Sequence, residues 1–269
     1  MYDQFYGFHE PPFNITPDPR FLFFSERHRE AYDHVLFGIR ERKGFIQLTG
    51  EVGAGKTTLC RAVLEKLGPS YVTALILNPC LTSAQLLRAI LREYGLSPKN
   101  DRVACLEQLN QFLLDELAKG RDVVLLIDEA QDLESDLLEQ IRLLSNLETD
   151  QRKLLQIVLI GQPELRDKLN DRRLRQLRQR ITVRYHLAPL SRQEVERYIQ
   201  HRLQVVGANG RPAFTSWAIR SIFRYSGGIP RLINAVCDKT LLAGYVEGTD
   251  LLRRREVRRA IRELEGKFS

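Results

Sequence analysis

No apolar run in this 269-residue chain is long enough to cross a membrane. The longest purely aliphatic stretch is Val123–Ile127, against the roughly 20 residues that a spanning helix needs. The opening MYDQFYGFHEPPF lacks the basic start and apolar stretch of a secretory leader. The expected location is therefore the cytoplasm, with any membrane role peripheral to the inner membrane and carried by a partner. Cysteine is scarce. Cys60, Cys80, Cys105 and Cys237 stand apart without CxxC spacing, which reads as reduced packing residues rather than a disulfide framework or a metal cluster. Internal repeats and low-complexity segments are lacking too. What is present is 43% hydrophobic and 28% charged residues, enough for a real core and incompatible with wholesale disorder.

The net charge of +7 permits an anionic partner without requiring one. Its distribution says more. Residues 1–165 carry a net −6, and residues 166–269 carry +13.

Residues 1–25 are rich in aromatics and in proline, so an extended arm without regular helix is expected, pinned by Phe5, Phe8, Phe13, Phe21 and Phe23. A helix follows over Glu26–Arg42. Short apolar runs then alternate with amphipathic stretches. The runs are Phe45–Thr49, Val72–Leu77, Val123–Ile127, Leu155–Ile160 and Ile181–Leu187. The stretches are Lys56–Leu67, Ala84–Tyr94, Val103–Ala118, Ser135–Leu147 and Pro163–Gln179. This alternation predicts an α/β fold with a parallel five-stranded sheet and helices on both faces. Ile181–Leu187 alternates apolar and polar residues and reads as an edge strand. After Pro189 the strands are expected to stop. Four helices follow, over Arg192–Val206, Ser216–Tyr225, Pro230–Tyr245 and Arg253–Leu264. The predicted domains are 1–188, with the arm, and a small helical lid over 189–269.

The strongest chemical signal is GEVGAGKTT, comprising Gly50, Glu51, Val52, Gly53, Ala54, Gly55, Lys56, Thr57 and Thr58. It matches GxxxxGK[ST] between a predicted strand and a predicted helix, the context of a phosphate-binding loop. Gly50, Gly53 and Gly55 permit φ > 0 and close backbone approach. Consecutive N–H groups can then wrap a phosphate at the positive end of the helix. Lys56 would reach the β- and γ-phosphates, and the Thr57 hydroxyl would bind Mg²⁺.

VVLLIDEAQ follows the same logic. A buried strand ends in Asp128, suited to assist Mg²⁺, and in Glu129, suited to polarise a water. This acidic pair favours hydrolysis of ATP over phosphoryl transfer to a metabolite. Gln162 lies just past the fourth run and could reach between that water and the γ-phosphate; equally, it reads as a turn or cap residue. Six arginines crowd Arg172–Arg184. They form either a solvated helical face or the source of an Arg that acts on a neighbouring subunit's nucleotide, with Arg180 and Arg178 the candidates. In GGIPRLINAVCD, Pro230 and Arg231 open a helix, and Arg231 could lean onto the γ-phosphate. Arg253–Arg262 holds six more arginines beside the apolar stripe Leu252, Val257, Ile261 and Leu264. Such a helix suits nucleic acid, an anionic membrane or an acidic partner, or simply solvent.

Together these signals resemble the P-loop NTPases of the AAA+ group, where the loop, acidic pair, polar sensor, trans-acting Arg and lid Arg occur in this order. Within it the chain is similar to the general secretion pathway protein A (ExeA-like) family. The stretches MYDQFYGFHEPPFNITPDPRFLFFSERHREA, GFIQLTGEVGAGKTTLCR, LIDEAQDLESDLLEQIRLLSNLET and IVLIGQPEL carry the likeness. The resemblance implies ATP hydrolysis with Mg²⁺ coupled to a head-to-tail homo-oligomer. It maps Lys56 and Thr57 onto the loop, Asp128 and Glu129 onto the acidic pair, Gln162 onto the first sensor and Arg231 onto the second. It also places the arm near Pro17–Phe23 at the adenine pocket. Secretion members continue into a transmembrane helix and a peptidoglycan-binding domain; a direct role in placing a secretion pore through the cell wall is therefore not expected unless a separate subunit supplies those parts. The expected function is assembly or energising of a secretion, pilus or polysaccharide-export machine. The alternative is a DNA-associated regulator such as a transposition helper. A nucleotide switch with negligible turnover would not need Glu129.

Overall fold

A computed structural model describes residues 1–16, 18–77, 81–149 and 152–267. The chain forms two compact units, one of residues 29–50 and 59–187, the other of residues 1–28, 51–58 and 188–269. The last segment of the second unit begins at Ala188, and the unit takes in the arm and the phosphate-loop segment as well.

In the first unit, β1 (Phe45–Gly50), β2 (Tyr71–Ile76), β3 (Asp122–Ile127), β4 (Leu155–Gly161) and β5 (Ile181–Leu187) form one sheet in the order β2-β3-β4-β1-β5. All its pairings are parallel. Every residue of β1 and β4 is buried, as inner strands covered on both faces must be. In β5, Ile181, Val183 and Leu187 are buried while Thr182, Arg184 and His186 are exposed, so this edge strand has one wet face. Ile127 pairs with Leu159, and Thr49 with Gly161. The carboxyl ends of β3, β4 and β1 are thus neighbours on one rim, where open parallel sheets carry their ligands.

The chain's helices begin with α1 (Tyr2–Tyr6), α2 (Glu26–Arg40), α3 (Lys56–Leu67), α4 (Ser83–Glu93), α5 (Arg102–Ala118), α6 (Ser135–Leu144), α7 (Pro163–Leu169) and α8 (Arg175–Arg180). Leu86 and Ile90 of α4, Leu109 of α5, Leu138 and Ile141 of α6 and Leu165 of α7 share a core with Leu125, Ile127, Ile157 and Leu159 of the sheet. A reciprocal cap between Thr82 and Gln85 starts α4, and the Asp101 carboxylate starts α5. The single helix expected over Pro163–Gln179 is broken. The Asp171 carboxylate accepts from the Arg173 N–H at 2.9 Å, which tightens Arg172–Leu174 into a 3₁₀ turn between α7 and α8.

The second unit holds α9 (Arg192–Val205), α10 (Ser216–Ser226), α11 (Pro230–Val246) and α12 (Arg254–Leu264). Strands do not stop at Pro189. Two short ones, β6 (Ala213–Phe214) and β7 (Leu251–Leu252), pair in parallel. Nor is the arm wholly extended. Its prolines start at Pro11, so residues 2–6 are free to coil into α1, which ends on Gly7 at φ 77°. Pro19–Phe21 forms a 3₁₀ turn. Phe8, Phe13 and Phe21 are buried among Val195, Ile222, Ile233, Leu241 and Val257, while Phe5 remains 39% exposed. Arg202 of α9 secures the arm. Buried itself, it donates to the carbonyls of Pro12 at 2.5 Å and Asn14 at 3.0 Å and to the Tyr198 hydroxyl at 3.0 Å. Its guanidinium lies 4.5 Å from the centre of the Phe21 ring. Of the segment placed at the adenine pocket, Pro17 lies outside the described residues and Phe21 belongs to this core. Cys60, Cys105 and Cys237 are buried; Cys80 lies outside the described residues.

Candidate functional site

β1 delivers the chain into the loop at Gly50. Gly50 does not take the positive φ expected of it. A Cβ there would stand 2.7 Å from the Leu187 carbonyl oxygen, so the closeness of β5 requires glycine at this position. Gly53 and Gly55 do adopt positive φ, 77° and 96°. Glu51 and Val52 are exposed, Ala54 is buried, and Thr57 and Thr58 are half-buried in the first turn of α3. Lys56 is also buried, and its Nζ donates to the Glu51 carbonyl at 3.0 Å. The same carbonyl accepts from the Ala54 N–H at 3.1 Å. The lysine is thereby held across the loop it serves.

Two residues far away in sequence hold the loop from outside. His28 is buried, with Nε2 3.1 Å from the Ala54 carbonyl and Nδ1 2.8 Å from the Ser25 hydroxyl. A carbonyl only accepts, so Nε2 carries the proton and Nδ1 accepts from Ser25. Burial pushes the His28 pKa down, in keeping with that neutral tautomer. Arg231, following Pro230 in the first turn of α11, donates its N–H to the Gly53 carbonyl at 3.2 Å. The turn before it is equally tight. Gly228 has φ 84°, and a Cβ there would fall 2.0 Å from the Leu190 carbonyl oxygen. Sequence reading found Arg231 through its Gly-Gly-Ile-Pro context. It missed His28, because no spacing rule links residue 28 to residue 54.

The acidic pair lies in the other unit, at the end of β3. Asp128 is 3% exposed, and one carboxylate oxygen accepts the Glu129 N–H at 2.9 Å. Glu129 has φ 51°, a left-handed conformation uncommon outside glycine. Its carboxylate accepts from Gln131 Nε2 at 2.8 Å and from Gln162 Nε2 at 3.3 Å. Gln131 closes the group by accepting the Gln162 N–H at 3.0 Å. Sequence reasoning singled out Glu129 and Gln162, and the structure brings them together. It missed Gln131, which joins them.

Arg180 donates to the Ser145 hydroxyl at 2.6 Å and to the Asn146 side-chain oxygen at 2.7 Å, and Arg178 to the Asn170 side-chain oxygen at 3.3 Å. On α12, Arg255 pairs with Glu247 and Glu256, and Arg259 with Glu263. Arg254, Arg258 and Arg262 are exposed, and no ion pair engages them among the described residues. Asp128 and Thr57 both offer hard oxygen donors of the kind Mg²⁺ takes alongside phosphate and water.

A phosphate-type loop after β1, an acidic pair after β3, a glutamine after β4 and a parallel sheet ordered β2-β3-β4-β1-β5 make up a P-loop NTPase fold of the AAA+ kind. The family described as "AAA domain" matches residues 39–169. Within that group the chain is similar to General secretion pathway protein A of Aeromonas hydrophila, with 49% identity over 268 residues. The match covers 99% of this chain and 49% of that protein, so the chain spans about half the length of this relative. In fold it is similar to Drosophila ORC bound to DNA, with a TM-score of 0.72 and 19% identity, covering 94% of this chain and 64% of that one. Cdc6p from Pyrobaculum aerophilum gives a TM-score of 0.69 and 17% identity, covering 97% and 70%. The RuvB Holliday junction branch migration motor of Thermotoga maritima gives 0.59 and 19%, covering 90% and 70%. No helix among the described residues is long and apolar enough to cross a membrane.

Proposed function

We propose that the chain binds ATP with Mg²⁺ and hydrolyses it to ADP and phosphate as a head-to-tail homo-oligomer. The observation that carries this reading is the fixed carboxylate of Glu129, held by the Gln131 and Gln162 amides just past a buried strand. Such a group can take the proton of a water attacking the γ-phosphate. The loop N–H groups from Gly50 to Thr58 cradle phosphate oxygens, and Lys56 supplies positive charge to the β- and γ-phosphates. Thr57 and Asp128 would hold Mg²⁺, which when bound neutralises charge on the phosphates. Gln162 orients the water beside Glu129. Arg231 contacts the γ-phosphate from the lid. Arg180, with Arg178 as the alternative, stabilises charge at the nucleotide of a neighbouring copy.

Glu129→Gln should keep affinity for a fluorescent ATP analogue while turnover falls by about 100-fold or more. Lys56→Ala should lose both. Unchanged turnover in Glu129→Gln rejects the reading.

The likeness to General secretion pathway protein A supports a cytoplasmic role in assembling or energising a secretion, pilus or polysaccharide-export machine, peripheral to the inner membrane through a partner. A second reading, a DNA-associated regulator, rests on the exposed Arg254, Arg258 and Arg262. They recur every four residues along one side of α12, about 6 Å apart. It predicts duplex binding that weakens steeply with salt and is lost in the triple Gln variant. No shift in retardation assays at low salt rejects it.

A further inference from the structure

We propose that the α/β unit carries a second anion site, separate from the phosphate loop, for a small ligand bearing a phosphate group. Its place is a cavity of about 300 Å³ against β1 and β5, lined chiefly by Gln47, Thr49, Arg166, Asn170, Arg178 and Arg184. That volume is at the lower end of the small-molecule range and too small for a chain segment of any length. None of the residues from Gly50 to Thr58 lines it.

Charge points to the ligand. Three arginines line the cavity, and no acidic residue does. Their contacts orient them without neutralising them. Arg178 donates to the neutral Asn170 side-chain oxygen, and Arg184 to the Arg178 carbonyl at 2.5 Å. Arg166 has neither an ion pair nor a hydrogen bond from its side chain among the described residues. Three arginines around one cavity supply the charge and the planar donors that a phosphate group takes.

Gln47 supplies the independent observation. It sits in β1, between β4 and β5, and is 4% exposed. Gln47 alternates with Phe45 and Thr49 along the strand, so the three share a face. Gln47 lines the cavity, and no side-chain hydrogen bond engages it among the described residues. A largely buried side-chain amide without a protein partner, on the wall of an arginine-lined cavity, is free to donate to a ligand oxygen. His186 is positioned at the rim, its Nδ1 3.1 Å from the Thr49 hydroxyl. The site gives Arg178 a role within its own subunit and leaves Arg180 for the trans role.

The test is calorimetric titration of inorganic phosphate and of glycerol 3-phosphate into the protein saturated with a non-hydrolysable ATP analogue and Mg²⁺, and in parallel into Lys56→Ala. One saturable site should appear in both. Arg166→Gln, on the surface, and Gln47→Leu, checked for folding by circular dichroism, should each weaken it about tenfold. Tighter binding of inorganic phosphate identifies a free ion as the occupant; tighter binding of the ester identifies a phosphorylated metabolite. The proposal is overturned if no saturable binding appears. It is also overturned if binding vanishes in Lys56→Ala yet persists unchanged in Arg166→Gln, for the site is then the loop itself. Failure of the analogue to bind would bear on the ATPase reading alone, since the Lys56→Ala titration does not depend on it.

Discussion

The main-chain N–H of Arg231 donates to the carbonyl of Gly53 at 3.2 Å, and a Cβ on Gly53 would stand 2.3 Å from the Cβ of Arg231. The phosphate loop and the first turn of α11 therefore touch backbone to backbone. Glycine at 53 answers two demands at once, a positive φ and the room for that contact.

Gly53→Ala should consequently fail on both. We expect a loss of roughly 2 kcal/mol in stability from left-handed strain and crowding, with nucleotide affinity down at least about tenfold. Thermal unfolding and analogue binding check the two parts. Val52, next to it and 48% exposed, should accept Ala with little change in stability.

His28 makes stability depend on pH. Burial holds its folded pKa below the ordinary 6.5, so in that interval the unfolded chain binds more protons than the folded one. Stability is therefore complete above about pH 6.5 and is lost as the pH falls toward the folded pKa. His201, lowered by burial and then by Arg202, acts in the same direction. Glu194 and Glu256, held below 4.5 by their hydrogen bonds despite burial, titrate at lower pH and do not confuse the window that opens below 6.5. Urea midpoints should fall across that window in the parent protein and fall less in His28→Asn.

Arg202→Ala strips partners from two arm carbonyls and from Tyr198. The expected cost is about 3 kcal/mol. The arm should also become an early site of proteolysis, with cleavage before Phe21 read by mass spectrometry. An unchanged digestion pattern would mean that the buried aromatics hold the arm without the arginine.

The trans role proposed for Arg180 predicts a mixing result. Arg180→Ala subunits should fail to support hydrolysis by Arg180-containing neighbours whose own Lys56 and Glu129 are intact. Activity that scales simply with the fraction of parent subunits would contradict it, as would a fully active monomer. Its anchors at Ser145 and Asn146 must release it for that role. Ser145→Ala should therefore raise turnover or leave it unchanged.

Much of this was legible because local rules decided it. β1 followed by GxxxxGKT reads directly as strand, loop and helix, and the alternation of Ile181–Leu187 fixes β5 at an edge. The acidic pair at the end of β3 was visible from position alone. The break between α7 and α8 was not, because one Asp171 side chain competes with a pattern that is otherwise helical. The arm's aromatics announced burial but gave no address; Phe13 and Phe21 find theirs among residues almost two hundred positions later. His28 reaches Ala54 and Gln131 reaches Gln162 from far along the chain, and no local pattern carries a sign of either contact. The two-residue strands β6 and β7 are too short to show any period.

The AAA domain match ends well inside what the loop depends on. A fragment trimmed to residues 39–169 would retain every residue from Gly50 to Thr58. It would lack the imidazole that holds the Ala54 carbonyl, the α11 N–H that holds the Gly53 carbonyl and the strand against which Gly50 is fitted. The motif would be intact and its shape unsupported. The contacts that hold this loop are drawn from nearly the whole chain, from His28 through Leu187 to Arg231.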